Sequence, residues 1–204
     1  MFWMKTILTA LVAGGLGAQT LAVTGPAAAR APGPLALNIT LSGSTSTGPA
    51  ALQWTLVPPG GLAVAGQSAG LASTGAGKAV ACGAANNLCI AWGMNQTVIA
   101  PGVVAQVAVT LTGATPPGPL SFTLAGLVGV KQDGSAMAIT AGAPFTVTVL
   151  AAADLDGDGR TDIADANLML QQALGAASCA NDQNGDGKCD LVDLYIVVKR
   201  ALGI

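Results

Sequence analysis

Between Asp154 and Asp193 the chain repeats one acidic loop at an interval of 28 residues: Asp-Leu-Asp-Gly-Asp-Gly-Arg-Thr-Asp-Ile-Ala-Asp, then Asp-Gln-Asn-Gly-Asp-Gly-Lys-Cys-Asp-Leu-Val-Asp. Each copy offers side-chain oxygens at positions 1, 3, 5, 9 and 12 and a glycine at position 6. That is the layout of a twelve-residue calcium loop, in which the carbonyl of position 7 adds another oxygen. The glycine is needed because the chain turns sharply there, through backbone angles costly for other residues. All ten acidic residues are Asp, and nine lie in this stretch; from Ala151 onward they face only Arg160, Lys188, Lys199 and Arg200, a formal charge of −5. Carboxylates at this density repel one another unless a cation neutralises them, so two calcium ions explain the tail better than a solvated acidic face does.

The pattern departs from an EF-hand in two ways. Position 12 is Asp165 or Asp193 instead of Glu, and no helix-forming stretch precedes Asp154, where Phe145, Val147 and Val149 alternate as in a strand. A loop followed by one helix, duplicated over Asp154 to Gly203 with nine of 22 positions identical between the copies, resembles the dockerin family. Dockerins are calcium-folded plugs that fasten secreted proteins to cohesin domains, chiefly in polysaccharide-degrading assemblies. The resemblance implies calcium ligands at Asp154, Asp156, Asp158, Asp162 and Asp165, and at Asp182, Asn184, Asp186, Asp190 and Asp193. Arg160 and Lys188 would contribute main-chain oxygens. Dockerins often carry hydroxyl groups at loop positions 10 and 11, whereas this chain has Ile163-Ala164 and Leu191-Val192, which implies a drier contact surface.

Each loop feeds a helix. Ile163, Ala166, Leu170, Ala173 and Leu174 form the expected apolar stripe of the first; Leu191, Leu194, Ile196, Val198, Ala201 and Leu202 leave the second apolar nearly all round. Neither helix is long enough to be stable alone, so metal binding and folding of this small all-α part are expected to be one event.

At the other end, Met1 to Lys5 is a short positive start, Thr6 to Val23 is apolar and small, and Ala27-Ala28-Ala29 suits a signal peptidase. The expectation is a secretion signal over residues 1–29, removed near Ala29, with no membrane association afterwards and an extracellular or cell-surface location. Glycines at 14, 15 and 17 argue against a permanent anchor. The four cysteines agree with export. They permit three connectivities, of which Cys82 with Cys89 and Cys179 with Cys189 is the simplest.

Residues 32–150 alternate with period two in short segments bounded by Gly, Pro, Asn and Ser, which predicts an all-β sandwich of eight or nine strands. The expected inward rows include Leu35, Leu37, Ile39 and Leu41; Leu52, Trp54 and Leu56; Leu88, Ile90, Trp92 and Met94; Val103 to Leu111 at odd positions; and Leu120, Phe122 and Leu124. Both Trp54 and Trp92 are thereby placed in the core. The strand rhythm, with Leu37-Asn38-Ile39-Thr40-Leu41, Ala51 to Leu56 and Val103 to Leu111, resembles a cohesin-type jelly roll. Carbohydrate-binding modules of similar topology are the competing resemblance.

Several chemistries are excluded. The chain has no His and no Glu, so it lacks a Ser-His-Asp or Cys-His relay and any His-ligated zinc. Asp133 is the only carboxylate side chain between Pro32 and Leu150, too few for a two-carboxylate glycosidase. No catalytic residues are assigned, and no enzyme is expected. Without a basic stripe, nucleic acid is not a partner. The sequence therefore predicts a secreted, non-catalytic adaptor: a cohesin-like sandwich at 32–150 and a dockerin-like plug at 151–204 that attaches to a protein partner, in a setting of polysaccharide breakdown. A carbohydrate-binding module tethered by the plug is the alternative. Since Val149 to Ala153 leaves almost no linker, the plug should not reach its own sandwich, which leaves head-to-tail pairing between copies open.

Overall fold

The computed structural model describes residues 19–60, 62–83, 85–112 and 114–204. Twelve strands run in the order β1 (Gln19–Thr24), β2 (Ala28–Arg30), β3 (Gly33–Ser42), β4 (Ala51–Val57), β5 (Val64–Ala69), β6 (Ala79–Cys82), β7 (Leu88–Trp92), β8 (Gly102–Leu111), β9 (Gly118–Val130), β10 (Ala136–Met137), β11 (Ile139–Ala141) and β12 (Phe145–Leu150). A short helix, α1 (Leu71–Gly75), follows β5, and α2 (Ile163–Ala173) and α3 (Leu191–Ala201) follow the two acidic loops. One sheet has the order β11-β1-β3-β8-β5; the other has β2-β12-β9-β4-β7-β6, with β10 hairpinned onto β9. Two parallel pairs, β1 with β11 and β2 with β12, close the sandwich at its ends.

Alternation works as expected along β3 and β4. Leu35, Leu37, Ile39 and Leu41 are buried, as are Leu52, Trp54 and Leu56. On β8 a bulge opposite Ile39 and Thr40 shifts the phase, so that Val104 and Ala105 both turn inward and Val103 does not. Asp133-Gly134 forms the turn between β9 and β10: the Lys131 amide donates to the Ser135 carbonyl at 2.8 Å, and the Asp133 carboxylate accepts from the Ser135 amide. The Ser135 hydroxyl on the same carboxylate, then its amide, hold the Asp133 pKa below the usual range.

Two further expectations are corrected within residues 19–150. The first concerns β7, whose phase is inverted. Ile90 is 39% exposed, Trp92 47% and Met94 98%, while Cys89 and Ala91 are buried. The cause is non-local. Trp54 lies opposite Cys89 and Leu52 opposite Ala91, so the small residues of β7 share the inner face with the bulk of β4. The Cys82–Cys89 disulfide joins residues directly opposite one another on β6 and β7 and holds that register. Trp54→Ala is expected to cost about 3–5 kcal/mol. Trp92→Ala should cost under about 1 kcal/mol, since it lies largely outside the core. Urea midpoints of the two variants check the assignment.

The second correction concerns the leader. Residues 1–18 lie outside the described residues, but residues 19–29, expected to be cut away, belong to the fold. β1 sits inside the five-stranded sheet between β11 and β3, with Leu21 fully buried and Val23 nearly so. Among the described residues the sandwich takes in β1, so it reaches back past the expected boundary at Pro32 to Gln19 at least. The apolar run of a leader and the apolar face of a first strand merge in the sequence, and only pairing with β3 separates them. No helix of the described residues is long and apolar enough to cross a membrane.

Beyond Leu150 a second, small core forms from Ala153, Ala166, Met169 and Val197. The first helix thus faces inward through Ala166 and Met169. Ile163, Leu170 and Leu174, expected in its apolar stripe, are exposed.

Candidate metal centre

The acidic loops are built twice from the same bonds. At position 1, the two oxygens of Asp154 accept from the amides of Gly157 (2.7 Å) and Gly159 (3.0 Å); those of Asp182 accept from Gly185 (2.6 Å) and Gly187 (2.7 Å). These glycines sit at φ between +79° and +91°, which lets the chain wrap its amides around the carboxylate. At position 12, Asp165 accepts from Leu155, Asp156 and Asp162, and Asp193 accepts from Gln183, Asn184 and Asp190.

Positions 9 and 12 have two tasks. Asp162 caps α2 by accepting from Ala164 while Asp165 returns a bond to the Asp162 amide; Asp190 and Asp193 do the same for α3. The Asp-x-x-Asp spacing that suits a metal loop is also a capping box, with Asp in place of the usual Glu. Each helix consequently starts at the loop, its positive end toward the carboxylates. Asp182, half-buried, is held below the ordinary carboxylate pKa mainly by the Gly187 amide and further by that of Gly185, against some desolvation.

Carboxylate oxygens of Asp154, Asp156 and Asp158 lie within 4.8 Å of one another. Asp154, Asp165 and Asp193 are buried. Nearby basic groups are engaged elsewhere: Arg30 donates to the carbonyls of Asp154 and Leu155, Arg200 to the side-chain oxygen of Gln183, and Lys199 lies over the Tyr195 ring. Converging anionic oxygens, with Asp154 buried and Asp156 and Asp158 exposed beside it, are a donor set that fits a hard divalent ion such as calcium. The second loop carries the same frame with Asn184 at position 3; the Asn184 amide donates to Asp186 at 3.1 Å. At position 7, the amides of Arg160 and Lys188 donate to Asp158 and Asp186, placing both residues inside the loop turns.

The disulfide Cys179–Cys189 ties the segment before the second loop to its position 8, with the two Cα atoms 5.4 Å apart. It restrains the loop that has Asn184 where the first has Asp156. Reduction of this bond is expected to lower calcium affinity at the second site by about tenfold or less while leaving the first unchanged, as read by titration calorimetry.

Three residues that the sequence reading missed hold this part in place. Arg30, at the end of β2, donates to the first two loop carbonyls. Gln183 donates to the Ala152 carbonyl, and Gln172 accepts from the amides of Ala180 and Asn181. Arg30 was hidden because it follows the expected cleavage point directly; its only sequence signal is being a lone cation in an almost uncharged region.

Elsewhere, the strands β4, β6, β7 and β9 carry no charged residue. Across them Ala81, Ile90, Gln53 and Val128 stand side by side on the outer face, with Trp92 opposite Ala79 in the next outward row.

No family model matches the chain, and no curated protein matches its sequence. Solved structures do match in fold. A non-cellulosomal cohesin from the hyperthermophilic archaeon Archaeoglobus fulgidus aligns with a TM-score of 0.52 at 15% identity, over 65% of this chain and 91% of its own. The seventh ScaB type I cohesin from Pseudobacteroides cellulosolvens aligns at 0.53 and 17% identity, over 68% and 96%. The cohesin module of a family 33 glycoside hydrolase from Clostridium perfringens aligns at 0.54 and 8% identity, over 67% and 98%. The sandwich therefore has the cohesin fold.

Proposed function

We propose that this protein is an extracellular, non-catalytic attachment protein. A cohesin-like sandwich supplies one binding face, and two calcium ions fold the tail into a dockerin-like plug that supplies the other. The observation that carries this reading is the bond-for-bond repetition of the two loops, each closing on the cap of its own helix. In the plug, Asp154, Asp156, Asp158, Asp162 and Asp165 would hold one ion with the Arg160 carbonyl. Asp182, Asn184, Asp186, Asp190 and Asp193 would hold the other with that of Lys188. Bound calcium would cross-link the loop oxygens; the chain's own amides and capping boxes orient the carboxylates toward it.

The surrounding features support attachment. Ile163, Leu191, Val192 and Tyr195 are exposed at the loop ends of the helices, where a partner would be gripped. Two disulfides suit an oxidising, extracellular setting. The cohesin fold of the sandwich points to a protein partner in an assembly that handles polysaccharide.

A second reading, sugar binding by the sandwich, draws on the half-exposed Trp92. Trp54 is buried, so Trp92 has no aromatic companion from the other strand tryptophan, and a single ring gives a pyranose chain only one resting place. Pulldown from the secretome of the native host, in calcium and in chelator, tests both readings. Calcium-dependent recovery of a β-sandwich protein is the expected result. Recovery of glycan alone, indifferent to chelator, would overturn it.

A further inference from the structure

The two acidic loops share their internal bonds, but only the first is also gripped by the sandwich. Arg30, the last residue of β2, donates from both terminal guanidinium nitrogens, one to the carbonyl of Asp154 and the other, at 2.9 Å, to that of Leu155. Among the described residues no side chain donates to the carbonyls of Asp182 and Gln183, which hold the equivalent positions of the second loop. That loop reaches only the connector, through the Gln183 side chain and the Ala152 carbonyl at 3.1 Å. An arginine suits the task because its planar fork meets two successive carbonyls at once and keeps its charge at any working pH. The sandwich sets its reach: β2 pairs in parallel with β12, which places Arg30 opposite Leu150, just before the first loop.

Neither carbonyl belongs to a position whose main-chain oxygen a twelve-residue calcium loop uses, so the guanidinium does not compete for a ligand. It acts on geometry instead. Asp154 is position 1, fully buried, and its carboxylate gathers the Gly157 and Gly159 amides. The sandwich has a core of its own, separate from the small one beyond Leu150. Fixing the Asp154 backbone to that sandwich orders one end of the loop before an ion arrives and removes part of the ordering cost of binding. Resting on the calcium assignment above, we infer that Arg30 is a positioning residue for the first calcium ion alone, and that through it the ion and the sandwich stabilise each other. Such coupling is reciprocal: the factor by which the folded sandwich raises calcium affinity is the factor by which calcium favours the folded sandwich.

Magnetic-resonance titration with calcium, on the chain beginning at Gln19, which keeps every element described, tests this. The amides of Gly159 and Gly187 occupy the same position in the two loops and read them separately. Arg30→Ala is expected to weaken the site read by Gly159 about tenfold, while the site read by Gly187 changes less than about twofold. Arg30→Lys keeps the charge without the fork and should fall between. Tryptophan fluorescence gives the reciprocal readout, since Trp54 and Trp92 lie in the sandwich and the acidic tail has no tryptophan. Calcium should raise the sandwich melting midpoint by about 3–5 °C in the wild type and by about 1 °C or less in Arg30→Ala, with both chains melting together in chelator. A merely structural arginine would lower the midpoint in chelator as well. Equal weakening of both sites, an unchanged first site, a lysine variant equal to the wild type, or an alanine variant that melts early or fails to fold in chelator would overturn the inference. The wild type separates the two levels. If neither glycine signal responds to calcium, the calcium assignment itself fails; if both respond and Arg30→Ala titrates like the wild type, only the role of Arg30 fails.

Discussion

Chelation of calcium from the whole chain is expected to abolish the helical circular dichroism of α2 and α3 while the melting of the sandwich persists. The reason lies in the size of the second core. Four buried apolar residues, Ala153, Ala166, Met169 and Val197, are the centre of the whole module. A core this small does not offset the ordering of two loops and two helices. Each ion present at about a thousand times its dissociation constant adds about 4 kcal/mol to the folded state, which is the scale of the deficit. Asp165→Ala and Asp193→Ala should each reproduce most of the loss at their own site. The position-12 carboxylate accepts from three amides, one of them at the helix cap, and would also hold the metal, so its removal leaves buried donors unpaired. The isosteric Asp165→Asn retains one carbonyl oxygen and lies between, as melts with and without calcium would show. Identical spectra in chelator and in millimolar calcium would refute the metal assignment.

A chain beginning at Arg30, the product of the cleavage expected from the sequence, should fail to fold, whereas one beginning at Gln19 should melt cooperatively. Removing β1 takes Leu21 and Val23 from the core, at about 1.5–3 kcal/mol each. It also removes the partner of β3 over Thr20 to Thr24 and of β11 over Gln19 to Leu21. Against a total stability of about 5–15 kcal/mol, that loss together with a bare central edge is enough to unfold or aggregate the sandwich. Mass spectrometry of the secreted protein gives an independent check: its first residue should be Gln19 or earlier. A folded, secreted form starting at Arg30 would refute the strand assignment.

The loops were legible because everything that builds them is local. Position 1 bonds to amides three and five residues on, and position 12 closes on residues three to ten back, so spacing in the sequence is spacing in space. The rows on β3 and β4 were legible for a related reason: with one face toward the core, alternation leaves a single choice of side. The β7 phase was not legible, because its own residues alternate large and small in a way that favours the wrong face. The bulk of Trp54 and Leu52 on the neighbouring strand overrules that preference. The role of Arg30 was hidden because its partners lie more than a hundred residues away.

The sequence alone determined that the chain carries the same acidic loop twice, that each launches a helix, and that the region before them is a β-sandwich poor in charge. These follow from short-range periodicity and from the chemistry of clustered carboxylates. Only the tertiary structure decided where the sandwich begins, which tryptophan is buried, and how the plug is held against β2 and β12. Each of these depends on the register between strands far apart in the chain. Register is set by how side-chain volumes from both partners fill one interior, a quantity that neither segment contains by itself.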